Sequence, residues 1–335
     1  MLVPKGKDAE KGFVYWMSTG NYIYVETHEE YESLEKYRVE SFKEVEKTFR
    51  KPTESRINGF GAYLYPPVWI DEVPKVPFEQ RFWGEIDIFL GQKAVETTYK
   101  GNILVVTKDG FIGIGIDDKG EALKELNTIM ASALINKMPA ISIKEFELGE
   151  VTIDTQTKEI TSFSVTLTSL RNVLGSSMTI RPLSDRETIS SKTYSIIKTA
   201  EKISKNEELQ NLSLILLESY THLVNMEYSA AFILSWCIIE HDLMVRWDKM
   251  LDDRRISGKR RNKLRNHLLY KTADRVIEIF NLISEISDDE YSKLMKFRKI
   301  RNKVVHEGIS PSKEDTELCF DYAYEIITKK LADLI

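Results

Sequence analysis

Residues 229–243 read SAAFILSWCIIEHDL. Phe232, Trp236, Ile239 and Leu243 recur every three or four positions, the spacing that puts side chains on one face of an α-helix. No glycine or proline interrupts the run. Glu240 falls inside the apolar stripe, and a carboxylate there needs a partner. The same periodicity continues on both sides, through Tyr194–Ile203, Leu209–Val224, Ala230–Leu251, Leu268–Ile283, Leu294–Val305 and Leu318–Leu334. Strand signals stop near Ser190, and Pro311 is the only proline after Pro182. Five or six helices with short links predict an all-α, up-and-down helical bundle over residues 190–335.

The preceding part, residues 1–185, reads as an α+β domain. Two aromatic and β-branched runs between Phe13 and Val25 flank Ser18-Thr19-Gly20-Asn21 and predict a hairpin. Helices are predicted over 29–49 and 119–136. Strands are predicted at 61–65, 83–90, 103–107, 111–116, 141–146, 151–154 and 160–168. The strand at 111–116 follows the Asp109-Gly110 turn and is expected to pair with 103–107. Residues 170–192 are polar, contain Gly and Ser, and read as a linker.

Composition narrows the function classes. The chain has 335 residues and a net charge of −5, with 42% hydrophobic residues and two cysteines. Two cysteines exclude a disulfide scaffold and a Cys-rich zinc site. Cys237 and Cys319 both lie in apolar helical sequence and read as buried thiols of a reducing compartment. No run approaches the ~18 apolar residues of a membrane span, and the first residues lack a leader's apolar core. A soluble, cytoplasmic protein is therefore expected, with no membrane partner. The charge is unevenly spread. Arg254, Arg255, Lys259, Arg260, Arg261, Lys263, Arg265 and Lys271 fall within twenty residues that hold no acid, leaving −13 on the rest. Such a segment is either a solvated interhelical loop or a set of phosphate contacts for RNA.

Chemistry-bearing residues concentrate in the helical half. In the front half, Gly113-Ile114-Gly115 lacks the third glycine and the following helix of a dinucleotide fingerprint. His28 stands alone, and Trp16, Trp69 and Trp83 read as core. His222 and His241 have no further ligands at metal spacing, so no metal site is expected. Residues 297–308 read FRKIRNKVVHEG. On a helix, Leu294, Phe297, Arg301, Val304 and Val305 share a stripe, which makes Arg301 a guanidinium on a core-facing side. Glu240 is its expected partner. Asn302 and His306 are four residues apart, and Gly308 is a candidate C-cap.

An Arg followed directly by Asn, with His five positions after the Arg, near the end of a helical bundle, resembles the HEPN superfamily. The matching residues are Arg301-Asn302-Lys303-Val304-Val305-His306. The helix from Ser229 to Leu243 resembles the Trp-x-x-x-Glu helix of the Apea-like branch. The resemblance covers about residues 195–335. It implies a metal-independent endoribonuclease of a defence or stress system, toxin or antiviral, working as a homodimer in which two Arg/His motifs form one site. It also implies an antitoxin or regulatory partner. The alternative within the family is a catalytically inactive bundle that binds a partner protein or nucleotide. Outside it, a plain helical dimerisation domain carrying a ligand-binding front domain is the rival. The chemistry suits the residues. Attack of an RNA 2′-hydroxyl on the adjacent phosphate needs proton transfer, which His306 can supply near neutrality. It also needs donors for the phosphorane charge, which the Arg301 fork provides. Asn302 would orient substrate or His306, Glu240 would hold Arg301, and no cofactor is required. The front domain would sense a trigger or select the substrate.

Overall fold

The computed structural model describes residues 13–16, 22–25, 55–66, 68–70, 93–163, 187–189, 192–254, 256, 258–266 and 272–333. The chain divides into two compact units, Met1–Arg56 and Ile57–Ile335. In the first, β1 (Phe13–Trp16) and β2 (Tyr22–Val25) form the expected antiparallel hairpin, with Phe13 opposite Val25 and Trp16 opposite Tyr22. The helix predicted at 29–49 and the strand predicted at 83–90 lie outside the described residues.

The second unit is an α+β assembly. Its strands are β3 (Arg56–Tyr63), β4 (Val68–Ile70), β5 (Lys93–Tyr99), β6 (Asn102–Thr107), β7 (Phe111–Ile114), β8 (Gly149–Asp154), β9 (Ile160–Phe163) and β10 (Glu187–Ile189). Six of them form a curled sheet in the order β5-β6-β7-β3-β8-β9. As expected, β7 pairs antiparallel with β6 across the Asp109-Gly110 turn. Alternation along β6 sends Leu104 and Val106 to the face covered by helices. Val105 goes to the other face, into a small cluster with Tyr63, Phe111, Val151 and Ile153. Glycine is required where β3 crosses β7. A Cβ on Gly61 would lie 2.6 Å from the Ile112 carbonyl oxygen and from the Phe111 ring. Gly113 sits opposite Gly61 in this pairing, so the Gly-Ile-Gly run serves the curl of the sheet.

Three expectations change here. Residues 141–146 are not a strand. The Asn127 side chain bonds both backbone groups of Ile143, at 2.7 and 2.9 Å, and the Thr221 hydroxyl accepts from the Ser142 N–H at 2.9 Å. A short 3₁₀ turn, Glu145–Glu147, follows. Side chains have taken the hydrogen bonds a strand partner would need. Residues 187–189, read as linker, form β10, parallel to β4. The compact units also divide at Arg56/Ile57 and not at 185–190.

The physical reason that no division falls at 185–190 is α1 (Lys119–Ile135), capped by Asp118, whose side chain accepts from the Glu121 N–H at 2.7 Å. It is buried around most of its circumference, from Ala122 to Ile135. One side faces the sheet. The other meets α2 (Thr193–Ser204) and α3 (Glu207–Val224). A single apolar cluster runs from Leu104 and Ile112 through Leu126 and Met130 to Ile196, Leu212, Phe232 and Ile327. Polar pins cross the same boundary. Ser132 donates to the Ile196 carbonyl at 2.6 Å, and Tyr324 donates to the Ile135 carbonyl at 2.7 Å. Glu125, 3% exposed, accepts from Tyr99 at 2.8 Å, Lys100 at 2.7 Å and Gln210 at 3.3 Å.

The remaining helices are α4 (Tyr228–Asp253), α5 (Gly258–Asn266), α6 (Ala273–Leu282), α7 (Asp288–Asn302) and α8 (Lys313–Ala332). The predicted 268–283 helix is therefore shorter and begins at Ala273. Among the described residues α4 is the one helix long and apolar enough to cross a membrane. Its Phe232, Trp236, Ile239, Leu243 and Trp247 are buried within the protein core. α4 packs against α3, α6, α7 and α8.

A core shared by sheet and helices predicts shared stability. Ile196→Ala removes a buried side chain between α1 and α2 and should cost about 2–5 kcal/mol. Gly61→Ala should cost about 1–3 kcal/mol through overpacking. In both variants, denaturant unfolding followed by far-UV circular dichroism should give one transition that moves as a whole. A helical transition left in place while the sheet melts early would contradict the shared core.

Candidate functional site

α7 opens on Ser287, whose hydroxyl accepts from the Glu290 N–H at 3.2 Å, and carries Asp288, Asp289 and Glu290 in its first turn. Cations gather at the other end, where the helix dipole favours them. Leu294 and Phe297 fill its inward face, and Phe297 meets Phe232 of α4 with ring centroids 6.2 Å apart. Arg301 continues this stripe but lies past the end of the core, so it is half-buried and not enclosed. Its Nη1 donates to Asn302 Oδ1 at 3.2 Å.

The α-helix stops at Asn302. Lys303–Glu307 forms a π-helical turn, closed by the Gly308 N–H on the Lys303 carbonyl, with Gly308 left-handed at φ 68°. Gly308 is thus the terminating residue expected. The π turn itself was not legible, because no residue pattern distinguishes it from α-helix. It changes the phase of the face. Val305, expected inside, is 50% exposed, and His306 is exposed. In an α-helix residues five apart point well away from each other. The i→i+5 closure of a π turn brings residue i+5 back toward the azimuth of residue i. Here the closure pairs Lys303 with Gly308, so Arg301 at the last α-helical turn and His306 in the π turn share this helix end. The following loop is tied to the start of α4 by the Ser229 hydroxyl on Ser310 at 3.1 Å.

Glu240 is half-buried on α4, and its Oε2 accepts from Trp236 Nε1 at 3.2 Å. Among the described residues no ion pair closes between Glu240 and Arg301; the indole satisfies one carboxylate oxygen, and the guanidinium turns to Asn302. The two charges still share a neighbourhood, marked by Cys237. This residue was expected to be buried, as Cys319 is, but it is exposed. Partial burial pushes the Cys237 thiol up from its ordinary value, Glu240 adds to the rise, and Arg301 opposes it.

Sequence reasoning also missed two neighbouring cations. Lys296 pairs with Asp315 at 2.6 Å and Arg298 with Asp274 at 2.8 Å. Lys299 and Lys303, both exposed, make no ion pair among the described residues. With Arg301 they make three cations at the end of α7, facing Glu307 in the turn and Glu240 on α4.

The described part of the basic segment is mostly helical. Residues 258–266 form α5, and Arg261 pairs with Asp252 at the end of α4. Leu264 turns inward onto the core, while Lys259, Arg260 and Lys263 are exposed. Arg254 is exposed at the end of α4. The side chains of Arg255, Arg265 and Lys271 lie outside the described residues. The segment is not beside the motif, since α4 separates them.

Among the described residues no three His, Cys, Asp or Glu side chains converge as metal ligands would. A groove of about 1020 Å³ lies at the far end of α4 and α7, lined by Asp242, Arg246, Glu290, Tyr322 and Lys330 among others. Several of its charges pair within it. Arg246 meets Glu290 at 3.5 Å, Tyr322 donates to Glu290 at 2.6 Å, and Lys330 meets Asp242 at 3.3 Å. An apolar cavity of about 20 Å³ between the sheet and α1/α2 has no room for a ligand. No family model, curated protein or solved structure matches the chain.

The neighbourhood of Cys237 is directly testable. Glu240→Gln removes a negative charge and should lower the thiol's pKa, so alkylation by iodoacetamide should reach half its maximal rate at lower pH. Arg301→Ala should move it to higher pH. Unchanged profiles in both variants would separate the three side chains.

Proposed function

We propose that the protein is a metal-independent endoribonuclease that cleaves RNA by 2′-hydroxyl attack at the Arg301/His306 turn. The observation that supports this reading is the π turn, which exposes an imidazole on the same helix end as a half-buried guanidinium. Arg301 supplies a fixed fork for phosphate oxygens as charge builds on the phosphorane. Its bond to Asn302 restrains that fork. His306, open to solvent, exchanges the proton. Lys299 and Lys303 hold the flanking phosphates. Glu240, bonded to Trp236, contributes negative charge that favours the cationic surroundings; it is a positioning residue. The resemblance to HEPN proteins points the same way, and a role in defence or stress rests on that resemblance alone.

The single histidine of the turn supplies one proton-transfer group, whereas the reaction uses a base and an acid. A second copy supplies the other if two turns meet across a two-fold axis. Val305, Ile309 and Leu318 are each about half exposed beside or near His306, apolar surface that such an interface would cover.

Incubation of the pure protein with total RNA in EDTA tests the reading. Cleavage should persist, with 2′,3′-cyclic phosphate ends, and Arg301→Ala and His306→Ala should each reduce it by about 100-fold or more. Cleavage lost to EDTA, or retained in His306→Ala, would refute the mechanism. No cleavage with intact RNA binding would favour an inactive binding module.

Light scattering tests assembly. A dimer should form at micromolar concentration, and Val305→Glu should weaken it and reduce cleavage together. A fully active monomer would remove the composite site.

A further inference from the structure

The cations of α5 and the Arg301/His306 turn sit at opposite ends of α4. Phe232 meets Phe297, and fourteen residues later Arg246 meets Glu290, so α4 and α7 run in opposing directions. From Arg301 back to Glu290 is about 16 Å of helix, and from Arg246 on to Asp252, where α5 is anchored by Arg261, is about a further 9 Å. Along α4 alone, Cys237 to Asp252 is about 22 Å. By either path, the two groups of cations are more than 20 Å apart.

α5 has the features of a strand-anchoring surface. Its sequence, GKRRNKLRN, contains no acid. Arg261 is engaged by Asp252 and Leu264 by the core, which fixes the helix about its axis. Lys259, Arg260 and Lys263 then fall within about 100° of arc on the exposed side. Like charges clustered in this way repel one another, and a polyanion relieves that repulsion while releasing its own counterions.

We infer that the substrate is a single RNA strand long enough to reach from the cleavage turn to α5, where Lys259, Arg260 and Lys263 grip its phosphates as a distal anchor. The inference rests on the ribonuclease reading for the identity of the strand and extends it to substrate length. A stacked strand advances about 3.4 Å per nucleotide, so the span takes about seven nucleotides, and fewer if the strand is stretched. Phosphate contacts carry no base information, so the anchor selects for length and not for sequence.

The test compares a 3-nucleotide and a 12-nucleotide RNA that share the same cleavable step, in EDTA, for both binding and cleavage. The 12-mer should bind and be cleaved with a kcat/KM about tenfold or more above the 3-mer at low salt. Raising salt from 50 to 200 mM should cost the 12-mer roughly tenfold to twentyfold more, the effect of three single-strand contacts. The triple variant Lys259→Gln, Arg260→Gln, Lys263→Gln should bring the 12-mer down to the 3-mer's level and leave the 3-mer unchanged. The charge-preserving triple variant Lys259→Arg, Arg260→Lys, Lys263→Arg should retain the advantage. Equal cleavage of the two lengths overturns the inference and leaves the ribonuclease reading standing. So does a Gln triple variant that melts normally yet loses both substrates alike. Length-dependent binding without cleavage does the reverse. Neither cleavage nor length dependence overturns both.

Discussion

Burial of α1 on two sides is the constraint on which the rest of the second unit depends. A helix with only one covered face can be exchanged between partners; one covered by a sheet and by α2 and α3 cannot. Burying both sides requires small or apolar residues nearly all round, and α1 supplies Ala122, Leu126, Met130, Ala131 and Ala133. Where a charge is tolerated, at Glu125, three donors from a strand, its turn and α3 meet it. Leaving those donors unmet would cost several times what the bonds contribute when made. The helices that carry the candidate site are therefore held by a core that begins in the sheet.

This explains what was legible in the chain. Helix existence and apolar faces were clear because the 3.6-residue period is strong in 193–204, 207–224 and 228–253, and β6, β7 and α1 fell close to their expected limits. The division at 185–190 was read from a change in element type and polarity. Such a change marks a domain boundary only when each side closes its own core, and packing between α1 and α2 leaves no trace in local sequence. Residues 141–146 carried a strand's composition, but partner side chains far along the chain decided their fate.

The candidate site was legible as a set of residues and not as a geometry. Arg301, Asn302 and His306 are close in sequence and lie on one helix end as expected. Helical projection put Arg301 deeper than it lies, because projection knows the face of a residue but not where the core ends. The same projection assumed α-helical winding through Val305, and the π turn rotates that side chain outward. Glu240 was read correctly as a carboxylate in need of a donor. The donor is the indole four residues earlier on its own helix, a local solution that needs no second helix.

The position of α8 has a consequence for the order of folding. Its Cys319, Phe320, Ala323 and Ile327 fill a core whose other walls come from helices made earlier, and Tyr324 reaches back 189 positions to bond Ile135. Chains emerge from the ribosome N-terminus first. α7 is thus synthesised before the helix that packs on it, and Lys296 gains its Asp315 partner only once that helix has formed. Contacts of such long sequence separation close late, after their loop entropy has been met by other packing. The helix that carries the turn therefore gains its full set of neighbours only in molecules whose α8 has joined the core.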